Sequence, residues 1–158
     1  MKYSRFEELP VWNSSLRLAL DVWELTAQRA FRAKRSLRDQ LERAALSISN
    51  NIAEGFERGT TQELLTFLYI ARGSAGEVRS MLCLMERLAD FRDLKSQISN
   101  LKSQAEGISR QLRAWADSLQ DSPIKGQRYL TEKGRRLDRI RKDREEFLKE
   151  LQLAREKG

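Results

Sequence analysis

Four stretches of the chain repeat apolar residues every three and four positions, the spacing that places side chains on one face of an α-helix. The first stretch begins at Pro10, whose fixed φ suits the first turn of a helix. It carries two stripes, Val11, Leu18, Val22 and Leu25 in one, and Trp12, Leu16, Ala19 or Leu20, and Trp23 in the other. Two adjoining stripes are wider than one helix contact requires. We therefore expect this helix to be buried in a bundle and also against a second surface, such as another subunit.

The second and third predicted helices have start and stop signals. Ser36, followed by Asp39, predicts the N-cap of the second helix, and Gly55 predicts its end. Thr60 and Glu63 form a capping box that predicts the start of the third helix. The inner stripe of the second helix is Leu37, Leu41, Ala44 or Ala45, Ile48 and Ile52. That of the third is Leu64, Leu68, Ala71, Ala75, Val78, Leu82 and Met85.

The third helix is apolar beyond its inner stripe and also contains two glycines. The positions beside the stripe predict wide burial: Phe67, Ile70, Met81, Leu84 and Leu88. Gly73 and Gly76 each cost up to about 1 kcal/mol of helix propensity relative to alanine. Close approach of another backbone is the predicted reason for them. A phosphate-binding loop is the alternative, but the lysine and the hydroxyl residue of a P-loop are missing.

The fourth stretch is the most regular, and it completes the predicted fold. Its apolar positions alternate spacings of four and three: Leu94, Ile98, Leu101, Ala105, Ile108, Leu112, Trp115 and Leu119. The four helices predict an all-α, antiparallel up-down four-helix bundle over residues 1–120. Residues 121–158 are predicted to be a basic, helical extension with a thin apolar stripe of Leu137, Ile140, Phe147, Leu148 and Leu151.

Composition argues against catalysis. The chain has 158 residues, no histidine and one cysteine, so it lacks a histidine base, a disulfide and a cysteine cluster for a metal. We therefore expect no enzymatic activity, cofactor or metal. Cys83 lies between Leu82 and Leu84, and we expect it to be buried and inert. No stretch approaches the ~20 apolar residues that span a bilayer, and no signal peptide is evident, so we expect a soluble cytoplasmic protein.

The charge balance favours a polyanionic partner. Thirty Lys and Arg against 23 Asp and Glu give a net charge of +7. One candidate phosphate-binding cluster, within the run from Arg29 to Arg43, contains Arg32, Lys34, Arg35 and Arg38. The other lies in the extension and contains Lys133, Arg135, Arg136, Arg139, Arg141, Lys142 and Arg144. Cations on one side of a helix bind phosphates without sequence specificity, and solvated faces with i,i+4 ion pairs are the alternative. The extension has too few bulky apolar residues for a membrane surface, so no membrane partner is expected.

Polar residues also lie beside the inner stripe of the second helix. Ser47, Asn51 and Glu54 occupy positions where unsatisfied polar groups would be costly. We predict that they form a structural hydrogen-bond network, with Asn51 and Glu54 buried or interfacial. A ligand site is the alternative.

These residues belong to a pattern that resembles the signature of a bacterial family. The family consists of four-helix-bundle proteins first noticed in intervening sequences of large-subunit ribosomal RNA genes. The main segment is Gln40-Leu41-x-Arg43-Ala44-Ala45-x-Ser47-Ile48-x-x-Asn51-Ile52-Ala53-Glu54-Gly55. Three further segments are similar: Phe6-x-x-Leu9-x-Val11-Trp12, Phe67-Leu68-x-Ile70-Ala71, and Gly73-Ser74-x-x-Glu77. The resemblance covers about residues 6 to 119.

The resemblance implies a homopentameric, barrel-like assembly with no known enzymatic activity and no defined catalytic residues. Relatives include the accessory variability determinant proteins of diversity-generating retroelements, which bind a reverse transcriptase and nucleic acid through a basic surface. The extension after Asp121 departs from the short members of the family, and it favours an accessory protein of this kind. The alternative is a ribosomal-RNA intervening-sequence protein of unknown role, a pentamer without nucleic-acid function.

Overall fold

Four long helices make up most of the described chain. The computed structural model describes residues 3–121, 140, 144 and 146–149. The helices are α1 (Pro10–Thr26), α2 (Arg35–Glu57), α3 (Thr61–Met85) and α4 (Lys95–Gln120). Short 3-10 helices precede α1 (Phe6–Glu8) and lie in the α1–α2 and α3–α4 connections (Arg29–Phe31 and Ala89–Leu94). Each helix packs against the next, α1 also packs against α4, and the described residues contain no strand, which confirms the predicted four-helix bundle.

The chain divides into two units, Met1–Gly126 and Gln127–Gly158. The bundle lies in the first unit. In the second, residues 140, 144 and 146–149 are helical and exposed. None of the described helices is long and apolar enough to cross a membrane.

The predicted inner stripes form the core, but part of the second stripe of α1 lies at the surface. Leu18, Val22 and Leu25 are buried, as are the stripe residues of α3 from Leu64 to Met85. On the second stripe of α1, Leu20 is 51% exposed and Trp23 42% exposed. Ala19 on this stripe is buried, and Trp12 and Leu16 are half-buried, so the single chain covers the second apolar face of α1 only in part.

The predicted boundaries of α2 are wrong at both ends. The helix begins at Arg35 with Lys34 as its N-cap, and no side chain caps it. Ser36 lies in the first turn, where its hydroxyl accepts a hydrogen bond from Gln40 Nε2 at 3.1 Å. At the other end, α2 continues through Gly55 to Glu57.

Gly55 serves helix packing instead of helix termination. It is buried, and a Cβ at this position would lie 2.6 Å from Phe67 Cβ and 3.2 Å from Leu64 Cδ1. The missing side chain therefore allows α3 to approach α2 closely.

The start of α3 is as predicted. Thr60 is its N-cap, and its Oγ1 accepts a hydrogen bond from Glu63 N at 3.2 Å and donates one to Glu63 Oε2 at 2.8 Å.

Other predictions for α3 are not met within the described single chain. Ile70 is 46% exposed and Leu84 50% exposed, so the wide burial is incomplete. Cys83 is half-buried instead of buried. A Cβ on Gly73 or Gly76 would meet nothing within 4 Å, so the close backbone approach expected at these glycines does not occur within the described chain.

Candidate nucleic-acid interface

Two connections meet at one end of the bundle. Because successive helices alternate in direction, the α1–α2 and α3–α4 connections lie at the same end. Phe31 and Phe91 join them through buried rings whose centroids are 4.9 Å apart, inclined at 59°. Lys34 Nζ, in the first connection, also lies 3.3 Å from Asp90 Oδ2 in the second. The predicted basic cluster is therefore one half of a composite surface.

The first connection and the first turn of α2 carry both unpaired and ion-paired cations. Arg29, Arg32 and Arg35 are exposed, and none has an ion-pair partner among the described residues. Lys34 pairs with Asp90, and Arg38 Nε donates to Glu42 Oε1 at 2.9 Å. The exposed Lys34–Asp90 pair is worth only about 0–1 kcal/mol, so Lys34 can exchange its carboxylate for a phosphate at low cost. The Glu42 carboxylate is mostly buried, so Arg38 is held more firmly.

The second connection and the start of α4 add cations that the sequence pattern does not single out. Arg92 and Lys95 are exposed, and within residues 3–121 neither has an ion-pair partner. We use the name basic end for Arg29, Arg32, Arg35, Arg92 and Lys95. Arg92 lies about sixty positions after Arg32 in the sequence, so only the up-down topology places them at the same end.

Acidic groups moderate the charge at this end. Asp39 and Asp93 are exposed there and offset part of the positive potential. Close to the α3–α4 connection, Lys102 Nζ donates to Glu86 Oε2 at 2.7 Å. This hydrogen bond raises the pKa of Lys102 above its usual value, so Lys102 stays charged but paired. Lys102 therefore does not extend the set of unpaired cations at the basic end.

The second predicted basic cluster cannot be placed in the same way. Arg144 is helical and exposed. The other members lie outside the described residues: Lys133, Arg135, Arg136, Arg139, Arg141 and Lys142. Phosphate binding by this cluster stays a prediction.

The polar network predicted on α2 extends to α3. Asn51 is half-buried, and its Nδ2 donates to Ser47 O at 2.7 Å and to Ser47 Oγ at 2.9 Å. Ser47 Oγ lies 2.9 Å from Ser74 Oγ, and the Ser74 hydroxyl lies 3.2 Å from the carbonyl of Ile70, which accepts from it. Glu54 does not take part: it is exposed, and its Oε1 accepts from Arg58 Nη2 at 2.5 Å. Glu54 lies three residues beyond Asn51, where its carboxylate is in solvent and can pair with Arg58 at i+4.

An open groove of about 550 Å³ runs beside this network. It is lined by Gln40, Arg43, Ala44, Ser47, Glu77, Ser80 and Met81. Glu77 is its one carboxylate, so the groove contains no acid–base pair of the kind that catalyses proton transfer. Within the described ranges, no group of three or more His, Cys, Asp or Glu side chains could hold a metal ion.

Comparisons with known proteins identify the family. The family model described as 23S rRNA-intervening sequence protein matches residues 7–114. A solved structure with a TM-score of 0.60 is a protein of unknown function of the S23 ribosomal protein family from Bacteroides thetaiotaomicron. It is 21% identical, over 67% of this chain and 97% of that one, and at this identity it supports the fold alone. No match was found among curated proteins. Since the family model spans more than half of the sequence and the folds agree, the chain belongs to the 23S rRNA-intervening sequence protein family.

Proposed function

We propose that this chain is a non-enzymatic protein that binds nucleic acid through the basic end of its bundle. The observation that carries the proposal is the meeting of the two connections at Phe31 and Phe91, which gathers five exposed cations without ion-pair partners among the described residues. Such cations favour phosphates and read no base sequence. The cluster between Lys133 and Arg144 would add to the same electrostatic attraction.

We also propose that the chain assembles as a homopentamer and acts with a reverse transcriptase in a diversity-generating retroelement. The exposed Leu20 and Trp23 support self-association, because an apolar helix face gains free energy when a partner covers it. The count of five and the reverse transcriptase rest on the resemblance to accessory variability determinant proteins. Repeating the basic end on five copies would strengthen weak phosphate contacts through effective concentration.

Charge reversal tests the nucleic-acid contact. In a chain with Arg32→Glu, Arg35→Glu and Arg92→Glu, we expect weaker binding to several unrelated RNA and DNA oligonucleotides. Affinity should fall by a similar factor for each one, because phosphate contacts carry no sequence information. Fluorescence anisotropy measures the affinities. The matched control reverses Arg110 and Arg113, which are exposed on α4 away from the connections, and should have a smaller effect.

Two outcomes would count against the proposal. Undiminished affinity in the triple variant would exclude the basic end as the contact surface. If the full chain bound neither RNA nor DNA at low salt, alone or with a reverse transcriptase, nucleic-acid binding itself would be wrong. A pentamer without nucleic-acid function would then be the better assignment.

The assembly and the retroelement are tested separately. Light scattering should give five times the chain mass of 18.4 kDa, and a monomer at micromolar concentration would exclude the assembly. The gene should lie beside a reverse transcriptase gene and a pair of template and variable repeats. A neighbourhood without them would remove the retroelement assignment and leave nucleic-acid binding untouched.

A further inference from the structure

Two exposed helix faces carry residues with matching spacing and complementary charge. The α1 face consists of Asn13, Arg17, Leu20 and Glu24, and the α3 face consists of Gly73, Glu77, Ser80 and Leu84. In both, the steps are four, three and four residues, so each set forms one line along its helix. All eight residues are exposed.

The two faces complement each other when their helices lie parallel and in register. Arg17 then stands opposite Glu77, and neither has an ion-pair partner among the described residues. Leu20, which is 51% exposed, lies over the small side chain of Ser80.

Two further contacts follow from the same register. Glu24 stands opposite Leu84, which is 50% exposed, and Trp23, which is 42% exposed, comes beside the same leucine. Asn13 faces Gly73, where a Cβ would meet no atom of the described residues within 4 Å. The contact therefore covers apolar surface that is exposed to solvent in the single chain, and it pairs the charges of Arg17 and Glu77.

We propose that the α1 face of one copy docks against the α3 face of a neighbouring copy. The proposal rests on the homo-oligomer of the proposed function and deepens it by naming the interface. A second copy is the partner that fits, because both complementary surfaces are present on this chain. A second copy also satisfies the requirement that the two helices are parallel. The helices α1 and α3 run in the same direction in the bundle, so they remain parallel when two copies stand side by side.

The heights of the two faces suit side-by-side packing. Arg17 lies nine residues before the end of α1 at Thr26, and Glu77 lies eight residues before the end of α3 at Met85. Both helices lead into connections at the same end of the bundle. The difference of one residue corresponds to about 1.5 Å along the helix axis, so the faces align with almost no axial shift.

This contact determines the symmetry of the assembly. The two faces differ, so the contact is heterologous: each copy uses its α1 face on one neighbour and its α3 face on the other. Such a contact builds a closed ring when the rotation between neighbours closes, whereas an axial shift repeated at each contact would build an open filament. In such a ring every basic end lies on the same rim, which concentrates the phosphate-binding cations.

A charge swap tests the interface in the full-length protein. Arg17→Glu or Glu77→Arg should each weaken self-association by about tenfold or more, because each sets like charges opposite each other. The chain with both substitutions should recover the wild-type assembly. Arg110→Glu and Glu57→Arg, which change exposed charges outside both faces, are the matched controls. Sedimentation velocity measures the assembly, and circular dichroism checks that each variant is folded.

A second pair of variants tests the head-to-tail arrangement. Leu20→Asp and Leu84→Asp each disable one face, so each protein should be monomeric. An equimolar mixture should form a dimer of twice 18.4 kDa, because each partner supplies the face that the other lacks, and this dimer cannot grow. If one of these variants fails to fold, the charge swap alone decides.

The outcomes separate this inference from the proposed function. A wild-type chain that is monomeric at micromolar concentration would overturn the oligomer and the interface together. A wild-type oligomer that is unaffected by Arg17→Glu and Glu77→Arg would overturn only the interface. Loss of assembly in both single variants without recovery in the double variant would also contradict the pairing of Arg17 with Glu77.

Discussion

Replacing Gly55 with alanine should destabilise the bundle, although alanine is the better helix former. Helix propensity alone favours Gly55→Ala by up to about 1 kcal/mol. The added Cβ, however, would lie 2.6 Å from Phe67 Cβ. That atom is fixed to the α3 backbone and cannot rotate away, so the two helices must separate by about 1 Å to reach van der Waals distance. Overpacking of this kind costs up to about 3 kcal/mol, so a net loss of about 2 kcal/mol is expected.

Gly76→Ala is the matched control. Gly76 is also helical, but a Cβ there would meet no atom of the described part of the chain within 4 Å, so this substitution should stabilise by about 0.5–1 kcal/mol. Urea denaturation of both variants at the same protein concentration measures the change in the free energy of unfolding. With a slope of about 2 kcal/mol per molar urea, Gly55→Ala should lower the midpoint by about 1 M, and Gly76→Ala should raise it slightly. If Gly55→Ala raised the midpoint as Gly76→Ala does, Gly55 would not be required for the close approach of α2 and α3.

Three further predictions concern stability. Asn51→Ala should lower the free energy of unfolding by about 1 kcal/mol, because it removes two hydrogen bonds at a half-buried site; an unchanged urea midpoint would contradict this. Thr60→Ala should lower the free energy of unfolding by about 1 kcal/mol, because it removes an N-cap, whereas Ser36→Ala should change it little. Equal decreases in melting temperature for the two variants would argue against the assigned caps. Deleting residues 123–158 should leave the thermal unfolding of the bundle nearly unchanged, and a loss of cooperative unfolding would refute this.

The sequence predicted the features that depend on local spacing. The inner-stripe residues are buried or, at Leu37, Leu94, Trp115 and Leu119, half-buried against the core, because the period of the α-helix alone decides which side chains share a face. Thr60 was identified for a similar reason, since a capping box is complete within four residues.

Features that depend on a distant partner escaped prediction. Gly55 resembles a helix stop in sequence, and only the packing of Phe67 against it reveals its role. Glu54 was placed in the polar network by its spacing, but it points to solvent, where it binds Arg58. Arg92 and Lys95 form no local cluster, and they join Arg32 and Arg35 only because two connections fold to one end of the bundle.

The salt dependence of nucleic-acid binding tests the central proposal most directly. Each bound phosphate contributes roughly −0.7 for single strands to −0.9 for duplex DNA to the slope of log affinity against log salt. The full chain should show a steep negative slope for RNA and DNA. In the triple variant of Arg32, Arg35 and Arg92, the slope should become shallower by about one for each phosphate that is no longer bound, and deletion of residues 123–158 should flatten it further. A wild-type slope near zero, or one that neither change alters, would contradict phosphate binding by these cations.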